Sequence, residues 1–417
     1  MDNVILPPAT SFSSSVFSYS EIDFLDLSNL TLTKVPSSCF YSAKIKKLVL
    51  WKEITSINSE AFRNATIEEL TFLGKYPIIT SDNNQWYNCV LTKINISDLE
   101  DWLIATTKQV NSYSSYGNSS VVIAAAQKNL IDENRQTITT LEIPSTVTSW
   151  TVSATQGFRW IETLIIPNHL TSINTTAFND YYSLKDFYFD AAANASTSFA
   201  QDGFLNMGEW QEDGTTIHIG TSVRGIPQYF IASSTTTNKH NIIHIDFSEA
   251  ELCTQIGSYA FRYNYRITEL ILPDTITSLS SNCFEYMYGL ETCSLSSNLT
   301  TIPSYAFRGC TKLKEISLPE SCLTLNTYSF SNCISLQNVI APSITTIPNY
   351  CFEYCRSLRN FDLSKITSVG QYAFRECYGL QELVFPATLT TINSYAFYYC
   401  YGLLRVTLEG GAPSINS

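Results

Sequence analysis

Charge is scarce in this chain: 15% of its 417 residues are charged, and 25 basic against 37 acidic side chains leave a net charge of −12. The densest basic stretch is the short Lys44 to Lys47 cluster. Nucleic-acid backbones and anionic membrane surfaces reward clustered positive charge, so neither is an expected partner. No segment reaches the roughly 18 apolar residues that a membrane helix needs, which argues against membrane insertion. The N-terminus, MDNVILPPATSF, has neither the basic n-region nor the long apolar h-region of a secretory leader.

Histidine is also rare, at four residues. His240 and His244 form H-x-x-x-H, but Ile242, Ile243, Ile245 and Phe247 put them in or beside a strand, where i and i+4 do not converge as on a helix. Surface histidines are the expectation. No C-x-x-C, G-x-S-x-G, phosphate-binding glycine loop or calcium loop occurs. The acidic group Asp98, Glu100 and Asp101 has no acid/base partner and reads as the solvated start of a short helix over Asp98 to Thr107. Catalytic residues, metal ligands and cofactors are therefore not expected.

What the chain has in quantity is self-similarity. The stretch Leu299 to Pro319, LTTIPSYAFRGCTKLKEISLP, recurs with anchors at Phe261, Phe284, Phe307, Phe330, Phe352, Phe374 and Phe397, spaced by 23, 23, 23, 22, 22 and 23 residues. Counting from Phe307, Leu299 and Ile302 stand at minus eight and minus five, and Cys310 at plus three. Leu313, Ile316 and Leu318 follow as L-x-x-I-x-L. A fixed period in this range means stacked supersecondary units, and 22 to 23 residues falls in the leucine-rich-repeat class. The alternation predicts a parallel sheet with Leu313, Ile316 and Leu318 inside and Lys314, Glu315 and Ser317 in water. Phe307 and Cys310, at i and i+3, predict one helical or 3-10 turn opposite the sheet.

The remaining chain reads as decayed or interrupted copies within one continuous solenoid. Residues 1–96 are degenerate repeats anchored at Phe40, Phe62 and Trp86, and 97–137 are an insertion with an exposed loop at its centre. Residues 138–250 are irregular repeats through Phe158, Phe178 and Phe230, with insertions at 191–222 and 231–241; 251–417 are the regular array. Such insertions map to loops on one face, often the binding face, or else are neutral decoration.

Twelve cysteines raise the question of disulfides. Cys310, Cys333, Cys355, Cys377 and Cys400 share the plus-three register, while Cys283 and Cys351 share minus one with Ala and Ser elsewhere. Small buried slots filled by unpaired thiols are the expectation, with bridges between neighbouring units the alternative. Two surfaces offer binding residues. Glu269, Thr292, Glu315, Asn338, Asn360, Glu382 and Arg405 form a mixed polar stripe at plus eight on the strand face. On the turn face, the minus-two tyrosines repeat in register and read as a packing ladder, whereas the irregular Tyr354, Tyr378, Tyr399 and Tyr401 are the better binding candidates.

The run I-x-x-Y-A-F-x-x-C-x-x-L-x-x-I-x-L-P, seen in Ile302 to Pro319 and again in Val369 to Pro386, resembles the BspA-like leucine-rich repeats. The resemblance is close over about residues 250 to 409 and loose over 20 to 250. It implies an α/β-type repeat solenoid, right-handed, with a parallel sheet on one face. It also implies an extracellular or cell-surface recognition or adhesion module that binds a protein or glycan. The alternative is a structural subunit of a homo-oligomer or larger assembly, stacked through open solenoid ends, including a virion-borne host-recognition component.

Overall fold

The structure is a computed structural model that describes residues 3–9, 11–74, 85–96, 130–131, 138–147, 149–150, 159–170, 172–173, 178–193, 196–234, 240–411 and 413–415. The expected short helix at 98–107, the loop of the first insertion and the anchor Phe158 lie outside these residues. Two compact units are present: residues 1–165 with 172–184, and residues 166–171 with 185–417.

In the first unit the strands Asn3–Ile5, Glu21–Asp26, Lys44–Leu50, Thr66–Phe72, Val90–Ile96 and Leu130–Ile131 form one parallel sheet in chain order. The pairings Ile22 with Ile45, Ile45 with Ile67 and Ile67 with Leu91 keep every inward position in line. Behind the sheet the anchors stack: Phe40 on Phe62 at 5.0 Å and Phe62 on Trp86 at 4.1 Å, so Trp86 fills its expected slot. Phe17, unmarked by the repeat pattern, extends this stack by packing on Phe40 at 5.7 Å.

In the second unit, Asp186–Phe189, Thr215–Ile219 and Ile242–Asp246 form a parallel ladder. The insertion at 191–222 contains the strand Thr215–Ile219, and its Phe199 and Phe204 are buried against Phe230 at 5.7 and 5.9 Å. In the regular array, Leu299, Ile302, Phe307, Cys310, Leu313, Ile316 and Leu318 are all buried. Its anchors run Phe261 to Phe397 with ring centroids 5.1–5.6 Å apart. No coil can bury its own anchor; each aromatic face is covered by the next copy.

In the regular array the helical or 3-10 turn predicted opposite the sheet does not form: no α-helix occurs among the described residues, and 3-10 backbone occurs among them only at Phe178. The backbone shows why. Tyr305, Phe307 and Gly309 donate their N–H groups to Thr327, Ser329 and Ser331 of the next coil at 3.3, 2.8 and 2.8 Å, while Ala306, Arg308 and Cys310 bond three residues back. A helix would need every one of those groups for itself. The alternation requires left-handed residues four apart, here Tyr305 at φ 61° and Gly309 at φ 74°. Most coils place Tyr, Asn or Glu there instead, as at Tyr350 with Tyr354, Tyr328 with Asn332 and Tyr372 with Glu376. An aromatic side chain in that region is strained. Stacking offsets the strain: Tyr305, Tyr328, Tyr350, Tyr372 and Tyr395 form a ladder with centroids 4.9, 4.5, 5.2 and 5.0 Å apart. The minus-two tyrosines are thus a packing device, as their register suggested.

All twelve cysteines are free. The plus-three thiols have a shared task. Cys310, Cys333, Cys355 and Cys377 point their Sγ at the carbonyl oxygens of Phe284, Phe307, Phe330 and Phe352 in the preceding coil, at 3.1–3.2 Å. Burial pushes the Cys310, Cys333 and Cys377 thiols far above the usual thiol range, so they stay protonated and able to donate. Two results are expected: reductant leaves the thermal midpoint unchanged, and a thiol reagent labels these residues only as fast as the array unfolds. A lower midpoint under reductant would reveal bridges instead.

Candidate functional site

Strand register lines up the predicted plus-eight residues. Glu269 sits beside Thr292, Glu315 beside Asn338 and then Asn360, and Glu382 beside Arg405. Four of them, Glu269, Thr292, Glu315 and Asn338, line one groove of about 510 Å³. It opens where the backbone ladder is interrupted. Glu269–Ile271 pairs with Thr292–Ser294, and Glu315–Ser317 pairs with Asn338–Ile340, but these two pairs belong to separate sheets. Cys293 records the gap. Leu270, Ile316 and Val339 share its inward position and are buried, whereas Cys293 is half-buried and faces the groove. Its thiol is pushed up to about 12 by burial, so it is not a nucleophile at neutral pH.

The groove is electrostatically unfinished. Lys314 reaches sideways to Glu291, with Nζ 2.7 Å from Oε2, and that hydrogen bond holds the Glu291 carboxyl below its usual range. Among the described residues Glu269 and Glu315 form no ion pair. Ile340, 61% exposed, adds an apolar shoulder. Of the other predicted residues, Glu382 and Arg405 are 3.9 Å apart and exposed, outside the groove, and Asn360 contributes its backbone to the neighbouring strand.

The turn-face tyrosines are brought together with one another and with arginines, not with the groove. Arg375 and Arg356 lie over Tyr354 at 5.1 and 5.9 Å. Tyr378 donates its hydroxyl to Glu376 at 2.7 Å and stacks near Tyr401 at 6.0 Å. Tyr399 packs on Tyr398 at 3.9 Å, and Tyr401 is the most exposed of the four.

Two features escaped the sequence pattern. His218 lies between Asp186, 3.1 Å from Nε2, and Asp246, 3.0 Å from Nδ1, with Tyr188 stacked on its ring at 4.4 Å. The four residues come from three adjacent strands, and only the register of Thr215–Ile219 brings them together. His240 is buried, not a surface residue, with its ring 6.2 Å from that of Tyr265 in a cavity that Trp210 also lines. No group of three or more His, Cys, Asp or Glu able to hold a metal ion exists among the described residues. No helix among the described residues is long and apolar enough to cross a membrane.

A model of the BspA type leucine rich repeat region matches the chain in six copies, over residues 1–92, 133–238, 230–359 and 345–417. The chain belongs to the BspA-type leucine-rich-repeat family. No curated protein matches it significantly. Solved structures similar to this BspA-type chain include a leucine-rich repeat protein from Bacteroides ovatus, at 19% identity over 67% of this chain and 75% of that one, with a TM-score of 0.48. A leucine rich cell surface protein from Faecalibacterium prausnitzii is 19% identical over 66% of this chain and 89% of the other, with a TM-score of 0.34. A leucine-rich repeat protein from Eubacterium ventriosum is 17% identical over 85% and 82%, with a TM-score of 0.38. At these identities the likeness concerns the fold alone.

Proposed function

We propose that this BspA-type protein is a non-catalytic recognition module, acting at a cell or particle surface, whose strand-face groove holds an extended protein segment carrying lysine or arginine. One observation carries this reading: Glu269 and Glu315 face the same groove of about 510 Å³ without a cation among the described residues. Two carboxylates lining one groove, with Thr292 between them, favour a ligand that supplies positive charge, and Thr292, Ser294 and Ser317 offer hydroxyls to its backbone. The exposed Ile340 gives the segment an apolar contact. The resemblance of the repeat to those of surface adhesion proteins supports the same assignment.

The test is binding of the full chain to matrix proteins and to immobilised lysine- and arginine-containing peptides. Saturable binding is expected that weakens as salt rises, and the double variant Glu269→Arg, Glu315→Arg should lose about tenfold or more in affinity. Binding that survives the double charge reversal would remove the groove from consideration.

A further inference from the structure

A second cavity, of about 430 Å³, lies where the two later insertions meet the first regular coil. Its size falls in the range of small-ligand pockets, about 300 to 1,000 Å³. Trp210 is 57% exposed and Tyr265 36%, so two large aromatic rings present surface there instead of burying it. Asn241, 8% exposed, lines the same cavity. Its Nδ2 donates to the Gln211 carbonyl at 2.6 Å, which fixes the orientation of the amide. Its Oδ1 is then left buried with no hydrogen-bond partner. A buried acceptor without a donor costs about 1–3 kcal/mol, so Asn241 is an unmet polar group beneath the cavity wall. Arg266 forms no ion pair among the described residues and adds donors at the rim, while Glu212 adds acceptors. Burial keeps His240 uncharged, its pKa lowered to about 4.

The ligand must satisfy this mixture. A cationic side chain would meet the guanidinium of Arg266, and an anion would meet the carboxylate of Glu212. A neutral polyhydroxylated ring meets neither objection: each hydroxyl both donates and accepts, and the C–H face of such a ring packs on an aromatic face, which is electron-rich. We propose that this cavity is a saccharide-binding site, with Trp210 and Tyr265 as the stacking walls and Glu212 and Arg266 as the groups that accept from and donate to the sugar hydroxyls. It shares no residue with the strand-face groove and does not depend on it.

The experiment is saturation-transfer difference NMR on the full chain with D-galactose, D-mannose, D-glucose, L-fucose and N-acetyl-D-glucosamine, alongside Nα-acetyl-arginine amide. Trp210→Ala and Arg266→Gln change exposed side chains, with unchanged thermal midpoints as the folding control. At least one sugar should show transfer and titrate saturably, with affinity reduced about tenfold or more in Trp210→Ala and unchanged in the strand-face double variant. No transfer to any of the five sugars, transfer unaffected by Trp210→Ala, or binding of the arginine amide in their place would each overturn the proposal. Loss of sugar binding in the strand-face variant would overturn the independence of the two sites.

Discussion

Replacing Phe330 by alanine is expected to lower the free energy of unfolding by about 3–5 kcal/mol, the usual cost of emptying a buried aromatic site. Phe330 is fully buried and stacks between Phe307 at 5.3 Å and Phe352 at 5.5 Å, with interplanar angles of 3° and 5°. The void would therefore strip contacts from two neighbouring coils at once. Phe397 supplies the internal comparison. It stacks on Phe374 at 5.3 Å but is only half-buried, so Phe397→Ala should cost markedly less. Urea melts of the two variants decide the matter. Equal losses would show that the ladder is not the main source of cohesion between coils.

Acidification should destabilise the second unit through one buried imidazole. Burial lowers the His240 pKa from 6.5 to about 4, with Arg266 adding to the effect and Asp202 opposing it. Between those values the unfolded chain binds a proton that the folded chain refuses, so stability rises with pH in this window. It is complete above pH 6.5 and is lost as pH falls to about 4. A shift of this size corresponds to an effect on the order of 3 kcal/mol. Carboxylates with lowered values, such as Asp246 and Asp362, lose their contributions mainly below the window, since their ordinary value is 3.8. The difference between the stability–pH curves of the native protein and His240→Gln isolates the imidazole. Parallel curves from pH 6.5 to 4 would refute the assignment.

Core and register were legible because each obeys a fixed period. The seven apolar positions of Leu299 to Leu318 are buried as their spacing required, and the in-register cysteines and tyrosines prove to be packing elements. The turn was misread for a physical reason. Phe307 and Cys310 share an inward face in a helix, but they share it equally in an alternating backbone, and residue spacing does not reveal where the N–H groups go. The candidate site was half legible. The plus-eight stripe could be drawn from the repeat, but the interrupted ladder that turns four of its members into a groove has no sequence mark beyond Cys293 in a slot otherwise filled by Leu, Ile, Val or Phe. The pocket around Asn241 was harder still. Its residues come from two insertions and a regular coil, and insertions carry no period by which to align them.

The alternating N–H groups of the turn also decide where a coil can change length. Phe307 to Glu315 and Phe330 to Asn338 both span eight residues, and Thr324 to Phe330 and Thr346 to Phe352 both span six. The difference between a 23- and a 22-residue coil falls wholly between the two strands, with nine residues from Glu315 to Thr324 and eight from Asn338 to Thr346. One residue added within the turn would exchange the groups that bind the next coil for those that close the turn, and would break both sets of bonds. One residue added at the corner after the strand disturbs neither. In the regular array, single insertions and deletions can therefore accumulate at that corner.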